Sequence, residues 1–186
     1  MAAATHWLPN VQQELHMPEQ FLVTLTGPYQ PGVMNRLAAL THQYQGKWLS
    51  NKMANLEGRF AAIIKIELPS VNTADLKKAL ADLPDIDATF HPQTSQDSAP
   101  RHPIELKIDA RDQPGLVNEI TKVISAQDIC IDRMSSHRIS VPETGSTVFT
   151  AELSLTLPAH LGVDAVVADL EALYPHLIVR IADASS

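Results

Sequence analysis

The chain of 186 residues contains a single cysteine, Cys130, so it cannot form an internal disulfide. Absence of disulfides is typical of proteins in a reducing compartment, and we expect this protein to be cytoplasmic. Cys130 stands between Ile129 and Ile131 in a strand-like run. That local pattern predicts a buried, unreactive thiol.

Long hydrophobic runs and a basic leader are also lacking. No apolar segment approaches the length of a membrane span, and the first 20 residues carry no basic residue ahead of an apolar stretch. We therefore predict neither a secretory signal nor a membrane partner. With 45% apolar and 19% charged residues, the composition is that of a soluble globular protein.

Aromatic residues make up only 5% of the chain, and its formal net charge is −7. A sheet that stacks on RNA needs exposed aromatics, and binding to DNA needs Lys and Arg against the phosphates. The composition thus argues against direct nucleic-acid binding and favours small molecules or proteins as partners. The eight histidines show no recognisable zinc-ligand spacing, so no metal and no cofactor are predicted.

The chain does contain an internal repeat. The segment QPGVMN at 30–35 returns as QPGLVN at 113–118, an offset of 83 residues. Further positions match at the same offset, such as Leu37 with Ile120. Between the copies lies HPQTSQDSAPRHP at 91–103, whose three prolines and lack of large aliphatics are typical of a linker.

Hydrophobic periodicity assigns the elements within each copy. Alternation predicts strands at FLVTLT, RFAAIIKIEL, IELKID and FTAELSLTL, with Phe60 and Phe149 facing the core. Helical stripes follow the two turns and recur before a short last strand in each half. The stripes are Val33, Leu37, Leu40, Tyr44; Leu76, Leu80, Leu83; Leu116, Ile120, Val123; and Val166, Leu170, Leu173. The last strands are predicted at IDATF and LIVRI, and the middle hairpins at LEGR and the longer SVPETGS.

This order predicts an α+β protein of two ferredoxin-like βαββαβ domains, each an antiparallel sheet with both helices on one face. The predicted boundaries are an N-terminal extension at 1–19, the first domain at 20–92, a linker at 93–102 and the second domain at 103–183. The extension carries Trp7, Leu8, Val11 and Leu15 on one helical stripe. These residues suit a docking helix, and equally packing against the chain's own domain or against the other copy in a homodimer.

The Pro-Gly turns are the candidate functional residues. Proline favours the first turn of a helix, and glycine leaves room for a ligand to approach the main chain. The helix that begins there presents unpaired N–H groups and the positive end of its dipole, which suit a carboxylate. Asn35 lies opposite the apolar stripe, so it does not serve the core. The alternative interpretation is that Pro-Gly only begins a helix and that ancestry preserved it twice.

Two longer segments resemble a known family. LTGPYQPGVMNRLAALTHQYQGKW and IDARDQPGLVNEITKVISAQDICI make the chain similar to tandem ACT-domain proteins, in particular the family of the glycine cleavage system transcriptional repressor. The resemblance implies a non-catalytic sensor that binds a small amino acid between the first strand and first helix. For the repressor family it implies a response to glycine and control of transcription through a protein partner such as an activator, without contact to DNA.

The resemblance also implies the site residues. The implied ligand loops are 26–32 and 109–115, with neighbours at the site's edge. In the first copy they comprise Thr26, Gly27, Gln30, Pro31, Gly32, Val33, Asn35 and Asn51. In the second copy they comprise Asp109, Arg111, Asp112, Gln113, Pro114, Gly115, Leu116, Asn118 and Asp132.

The two copies differ at these loops. Many ACT loops carry an acidic residue two places before the proline, which the second copy has as Asp112 and the first replaces with Tyr29. We therefore expect inequivalent sites. Arg111 could pair with a ligand carboxylate.

Two other functions fit the same architecture. A phosphatase-like hydrolase would need a phosphate-gripping arginine and a positioned asparagine, which Arg111 and Asn118 could supply. However, the first loop has no basic residue, and the adjacent Ser136 and His137 would point to opposite faces of a strand. We therefore predict no catalysis. The remaining alternative is an interaction module whose turns have lost their ligand.

Overall fold

The chain forms two compact units, residues 1–95 and 96–186. The computed structural model describes residues 17–92, 100–142 and 145–182. The predicted docking stripe of the N-terminal extension lies outside the described residues, as does most of the predicted linker. Strands extend into both regions from their predicted domains, since β1 begins at Pro18 and β5 at Arg101.

Each unit has the same order of strands and helices. The first comprises β1 (Pro18–Pro28), α1 (Val33–Gln43), β2 (Lys47–Leu56), β3 (Arg59–Pro69), a 3₁₀ turn (Ser70–Asn72), α2 (Thr73–Ala81) and β4 (Asp87–Pro92). The second comprises β5 (Arg101–Arg111), α3 (Leu116–Ala126), β6 (Cys130–Val141), β7 (Ser146–Pro158), α4 (Val163–Glu171) and β8 (Ile178–Ala182).

The strands of each unit form a four-stranded antiparallel sheet. The strand orders are β2-β3-β1-β4 and β6-β7-β5-β8. Along β3 and β7 buried residues alternate with exposed or half-buried ones, and the buried side chains join those of the two helices in one cluster per unit. Phe60 and Phe149 belong to these clusters, 2% and 0% exposed. The predicted pair of ferredoxin-like βαββαβ domains is confirmed.

The turns and irregularities of the sheets also repeat. In the predicted LEGR hairpin, Glu57 and Gly58 both have positive φ, 49° and 72°, as a type I′ turn requires. A β-bulge interrupts the edge strand of each sheet, at Leu49 in β2 and at Asp132 in β6. These two positions are 83 residues apart, the offset of the sequence repeat. The duplication therefore includes a backbone detail that the residue types do not reveal.

Several predictions of burial are corrected. Helices α1 and α3 bury positions spaced four apart, so Thr41 and Ile124 are buried where Leu40 and Val123 are half-buried. Thr41 is tolerated there because its hydroxyl donates to the carbonyl of Leu37 (2.9 Å) and accepts from Trp48 Nε1 (3.0 Å).

Cys130 is exposed, contrary to its predicted burial. It opens β6, an edge strand, and lies in register with Thr156 on the helix-free face. An edge strand has a neighbouring strand on one side only. The isoleucines on either side of Cys130 in the sequence therefore do not ensure that its thiol is buried. The Cys130 Sγ accepts a hydrogen bond from Arg101 Nη1 (3.3 Å).

Two further observations concern the described ranges only. No helix in them is long and apolar enough to cross a membrane. Within the same residues, no group of three or more His, Cys, Asp or Glu side chains is placed to hold a metal ion.

Candidate functional site

The Gln-Pro-Gly segments form the same turn in both units. The amide of Val33 donates to the carbonyl of Gln30 (3.1 Å), and Gly32 has φ 84° and ψ 0°. In the second unit the amide of Leu116 donates to the carbonyl of Gln113 (3.4 Å), and Gly115 has φ 85° and ψ −6°. These angles belong to the third residue of a type II turn, which takes proline before it and glycine for its positive φ.

The helices begin after the glycine, which corrects the predicted place of the proline. Pro31 and Pro114 lie in the turn rather than in the first helical turn, and Gly32 and Gly115 are the N-caps. The amide of Arg36 makes the first helical bond, to the carbonyl of Gly32 (2.9 Å). The backbone amides of the residues between Gly32 and Arg36 have no acceptor within helix α1 and lie at the positive end of the helix dipole. Within the described residues, neither N-cap has a side-chain cap.

The side chains that follow the glycine serve different purposes. Val33 and Leu116 are buried in the core, so only their backbones face the turn. Asn35 and Asn118 are exposed, as their positions on the helical wheel predict. Each helix therefore begins with backbone amides that have no acceptor within the helix and with one exposed amide side chain.

In the first unit, the packing around position 27 requires glycine. Gly27 pairs with Phe60 at the end of β1, and a Cβ there would lie 2.5 Å from the carbonyl oxygen of Asp85. The second unit has Ala110 at the same place, where its methyl group is buried. Thr26, beside Gly27, pairs across β1 with Ala61 and with Asp87.

The loop before the second turn is held by an ion pair. Arg138 Nε in β6 donates to Asp112 Oδ1 (3.0 Å), and its guanidinium lies over the ring of Phe149, 5.6 Å from the centroid. The backbone anchor is common to both copies: Asp112 N donates to Thr147 O (2.9 Å), as Tyr29 N does to Gly58 O (2.7 Å). The acidic residue expected from the family is thus paired within its own unit.

The helix-free face of the second sheet carries further ion pairs. Arg180 Nη1 lies 2.7 Å from Asp109 Oδ2, and Lys107 Nζ lies 3.0 Å from Glu152 Oε1. Arg111, at the end of β5, has no ion-pair partner among the described residues. It lines an open groove of about 510 Å³ at this end of the sheet, together with Asp109.

Asn51 and Asp132 do not lie beside the turn of their own unit. Each helix runs back along the sheet, so the next strand begins at the end away from the turn. Asp132 accepts from the hydroxyl of Thr156 (2.5 Å). Arg111, at the turn, pairs with Val148 of β7. Thr156 is eight residues further along β7, about 27 Å from Val148. In the first unit Asn51 pairs with Ile64, whereas Gly27, near the turn, pairs with Phe60. Ile64 and Phe60 are four residues apart on β3, or about 14 Å.

One carboxyl group of the first sheet has a perturbed pKa. The Lys47 ammonium (2.7 Å) and the Gln20 amide (2.6 Å) hydrogen-bond to Glu67 and lower the pKa of its carboxyl below the usual value. Glu67 pairs with Lys47 in the sheet register, at the end of the sheet away from the Pro-Gly turn. This group therefore belongs to the stability of the first unit rather than to the candidate site.

Sequence reasoning missed Arg138 and Arg180, which the register of the second sheet brings to the loop 109–115 or its groove, and His176, which lines the groove from the turn before β8. Arg138 and Arg180 are 26 and 71 residues from their acidic partners. Only the strand pairing brings them together.

Comparison with known proteins agrees with this geometry. Residues 19–88 match the family model of the ACT domain. An unknown protein from Galdieria sulphuraria is similar in structure, with a TM-score of 0.76 and 20% identity over 91% of this chain and 100% of that chain. A proposed glycine cleavage system transcriptional repressor is similar with a TM-score of 0.66 and 15% identity over 90% of this chain and 99% of that chain. No curated protein matches the sequence significantly. Residues 19–88 thus match the ACT domain, and the chain has a tandem ACT-like fold.

Proposed function

We propose that this protein is a non-catalytic, cytoplasmic regulator that senses a small amino acid at its Pro-Gly turns. The observation that carries the proposal is the pair of helix starts, each with a glycine N-cap, no side-chain cap and first-turn amides that have no acceptor within the helix. A carboxylate placed there accepts from the amides and interacts favourably with the helix dipole. Because no side chain projects from the glycine, the ligand can approach the main chain closely.

Glycine is the proposed ligand, and transcription the proposed output. The fold is shared with a structure described as a proposed glycine cleavage system transcriptional repressor, and the sequence resembles that family. With a formal net charge of −7, the chain is poorly suited to neutralising DNA phosphates. A protein partner, such as a transcriptional activator, is thus the proposed receiver of the signal. Ligand binding would change the affinity for that partner by a coupling free energy between the two sites.

A thermal-shift screen of the whole chain against the twenty amino acids tests ligand binding. Saturation at a hundred times the Kd adds about 2.7 kcal/mol of stability, which is readily measured. Gly115→Val should abolish the shift caused by its ligand, because valine cannot keep the positive φ of the turn. Gly145→Val is the matched control: Gly145 also has positive φ, 62°, and lies in the β6–β7 connection. The proposal fails if no amino acid shifts the melting temperature, or if Gly32→Val and Gly115→Val both keep the full response.

The output is tested separately in cells. A reporter of glycine cleavage gene expression should be repressed by the wild-type protein in a glycine-dependent way. Purified protein should not retard the same promoter DNA unless the activator is present. Retardation of promoter DNA by the protein alone would contradict indirect control.

A further inference from the structure

The open groove of the second unit combines opposite charges with aliphatic side chains. Asp109 and Arg111 are two residues apart on β5, so their side chains leave the same, helix-free face of the sheet about 7 Å apart. Across the strands, Asp109 is paired with Ile178 of β8 and Arg111 with Val148 of β7. All four residues line the groove. Each charged residue thus has an aliphatic neighbour.

The two charged groups retain binding capacity. Asp109 Oδ2 accepts from Arg180 Nη1 (2.7 Å), but a carboxylate has two oxygens and about four acceptor sites. Arg111 is exposed, and no ion-pair partner for it occurs among the described residues. One anion that can accept an ammonium and one cation that can bind a carboxylate therefore stand side by side. That arrangement matches an α-amino acid in its zwitterionic form.

The aliphatic residues determine which amino acid fits. Ile178 is 49% exposed at the first position of β8, and the open groove of about 510 Å³ has room for a ligand larger than glycine. Glycine would fill little of this space and cover neither Ile178 nor Val148. A branched or linear aliphatic side chain could cover both. Burial of each methylene contributes about 0.8 kcal/mol, which lowers the Kd about fourfold.

The first unit has no such pair of charges. Matching the two turns places Thr26, Gly27 and Pro28 where the second unit has Asp109, Ala110 and Arg111. Moreover, the carbonyl of Asp85 closes on Gly27 in the first unit. The charge pair is thus a property of the second unit that duplication of the Pro-Gly turn does not explain.

We infer that this groove, which includes Asp109 and Arg111 of the loop 109–115, is a ligand site separate from the amides of the Pro-Gly turn and binds an aliphatic α-amino acid as its zwitterion. Asp109 binds the ammonium, Arg111 binds the carboxylate, and Val148 and Ile178 contact the side chain. The inference rests on amino-acid sensing as the protein's function and extends it: the groove adds a site on the β8 side of the sheet that selects larger ligands than glycine.

Isothermal titration of the full chain with leucine, glycine, isocaproate, isoamylamine and phosphate tests the site. Leucine should bind at least tenfold more tightly than glycine. Isocaproate lacks the ammonium and isoamylamine lacks the carboxylate, so each should bind at least tenfold more weakly than leucine. Leucine and isocaproate of equal affinity, or phosphate displacing leucine at equal concentration, would show a simple anion site and overturn the inference.

Variants locate the binding. Arg111→Gln should weaken leucine binding at least tenfold. Lys107→Gln is the matched control, since Lys107 lies on the same face of β5 two residues before Asp109 and pairs with Glu152. It should leave leucine binding unchanged. If the two substitutions weaken leucine binding equally, Arg111 acts only through its positive charge and not by binding the carboxylate, and the inference is overturned.

The outcomes also separate this inference from the proposed function. If Gly115→Val abolishes a glycine response while Arg111→Gln alters the binding of no amino acid, the groove site is refuted and sensing at the turn stands. If no amino acid binds to the wild-type chain at all, both proposals fail.

Discussion

Replacing Gly27 with alanine should destabilise the first unit although the new side chain is only a methyl group. Gly27 lies at the end of β1, where a Cβ would stand 2.5 Å from the carbonyl oxygen of Asp85 and 3.3 Å from both Ile86 Cγ1 and Phe60 Cε1. Ile86 and Phe60 are core residues, 6% and 2% exposed. Asp85 itself has a positive φ of 62° in the turn before β4. No side-chain rotation relieves a contact with a backbone oxygen, so the turn or the strand must move.

The size of the effect follows from two opposing terms. Overpacking a well-packed interior typically costs about 1–3 kcal/mol, and a contact with backbone belongs at the upper end of that range. Alanine also reduces the entropy of the unfolded chain, which returns about 0.4–1 kcal/mol. The expected net loss for Gly27→Ala is therefore about 2 kcal/mol. The second unit accepts Ala110 at the equivalent place, so the cost comes from the approach of Asp85 and not from the residue type.

Tryptophan fluorescence during urea unfolding measures the effect in the correct unit. Trp48 packs half-buried against the core of the first unit, so the change in its emission follows the unfolding of that unit. A loss of 2 kcal/mol should lower the midpoint by about 1–2 M urea, given slopes of about 1–2 kcal/mol per M for small domains. Gly162→Ala is the control in the second unit, followed by circular dichroism, since φ is −80° there and no described atom lies within 4 Å of its added Cβ. A midpoint for Gly27→Ala within about 0.3 M of the wild type would refute the reasoning.

Three further predictions concern turns, charge and the thiol. Gly115→Ala and Gly145→Ala should each cost about 1–2 kcal/mol in urea unfolding followed by circular dichroism, because both glycines have positive φ, 85° and 62°, in open space; an unchanged midpoint for either would contradict this. Lys47 and Gln20 lower the pKa of Glu67 in the folded state. The contribution of Glu67 to the free energy of unfolding is therefore complete above pH 4.5, the ordinary pKa of the group, and is lost as the pH falls through the lowered pKa. Wild type should therefore lose more stability than Glu67→Gln between pH 6 and pH 3, and parallel losses would contradict the assignment. The Cys130 thiol should react with an aromatic disulfide reagent at once in the native state, since its side chain is exposed; reaction only after unfolding would show that it is buried.

The sequence pattern was sufficient for the elements of the fold because each depends on local chemistry. Alternation along IELKID places Leu106 and Ile108 inward, and both are 1% exposed or less. The Pro-Gly pair predicts a turn that needs an unusual backbone angle, and Gly32 shows it. Local patterns indicate which face of a strand is apolar, but they do not show whether the strand lies at an edge. For that reason the local pattern predicts a buried Cys130, whereas its side chain is exposed.

The site could be predicted only where it depends on one segment. The turn itself was found, but the partners of its loop were not, because the register of β5, β6 and β8 determines which arginine meets which carboxylate. The misplacement of Asn51 and Asp132 has another origin. A helix that follows a strand and packs on the same sheet returns the chain to the opposite end, so the next strand begins far from the turn. Topology alone would have corrected this expectation.

The comparison of the two units separates what the fold requires from what remains for function. Gly32 and Gly115 have nearly the same positive φ, and the turn would need glycine at both places whether or not a ligand binds. Their repetition is therefore weak support for sensing at both turns. The charges have no such explanation: Asp112 with Arg138, and Asp109 beside Arg111, occur only in the second unit, and no backbone angle demands them. A response to an amino acid should accordingly depend more on the second unit, and removing its charges should affect binding without the loss of stability that accompanies a glycine substitution.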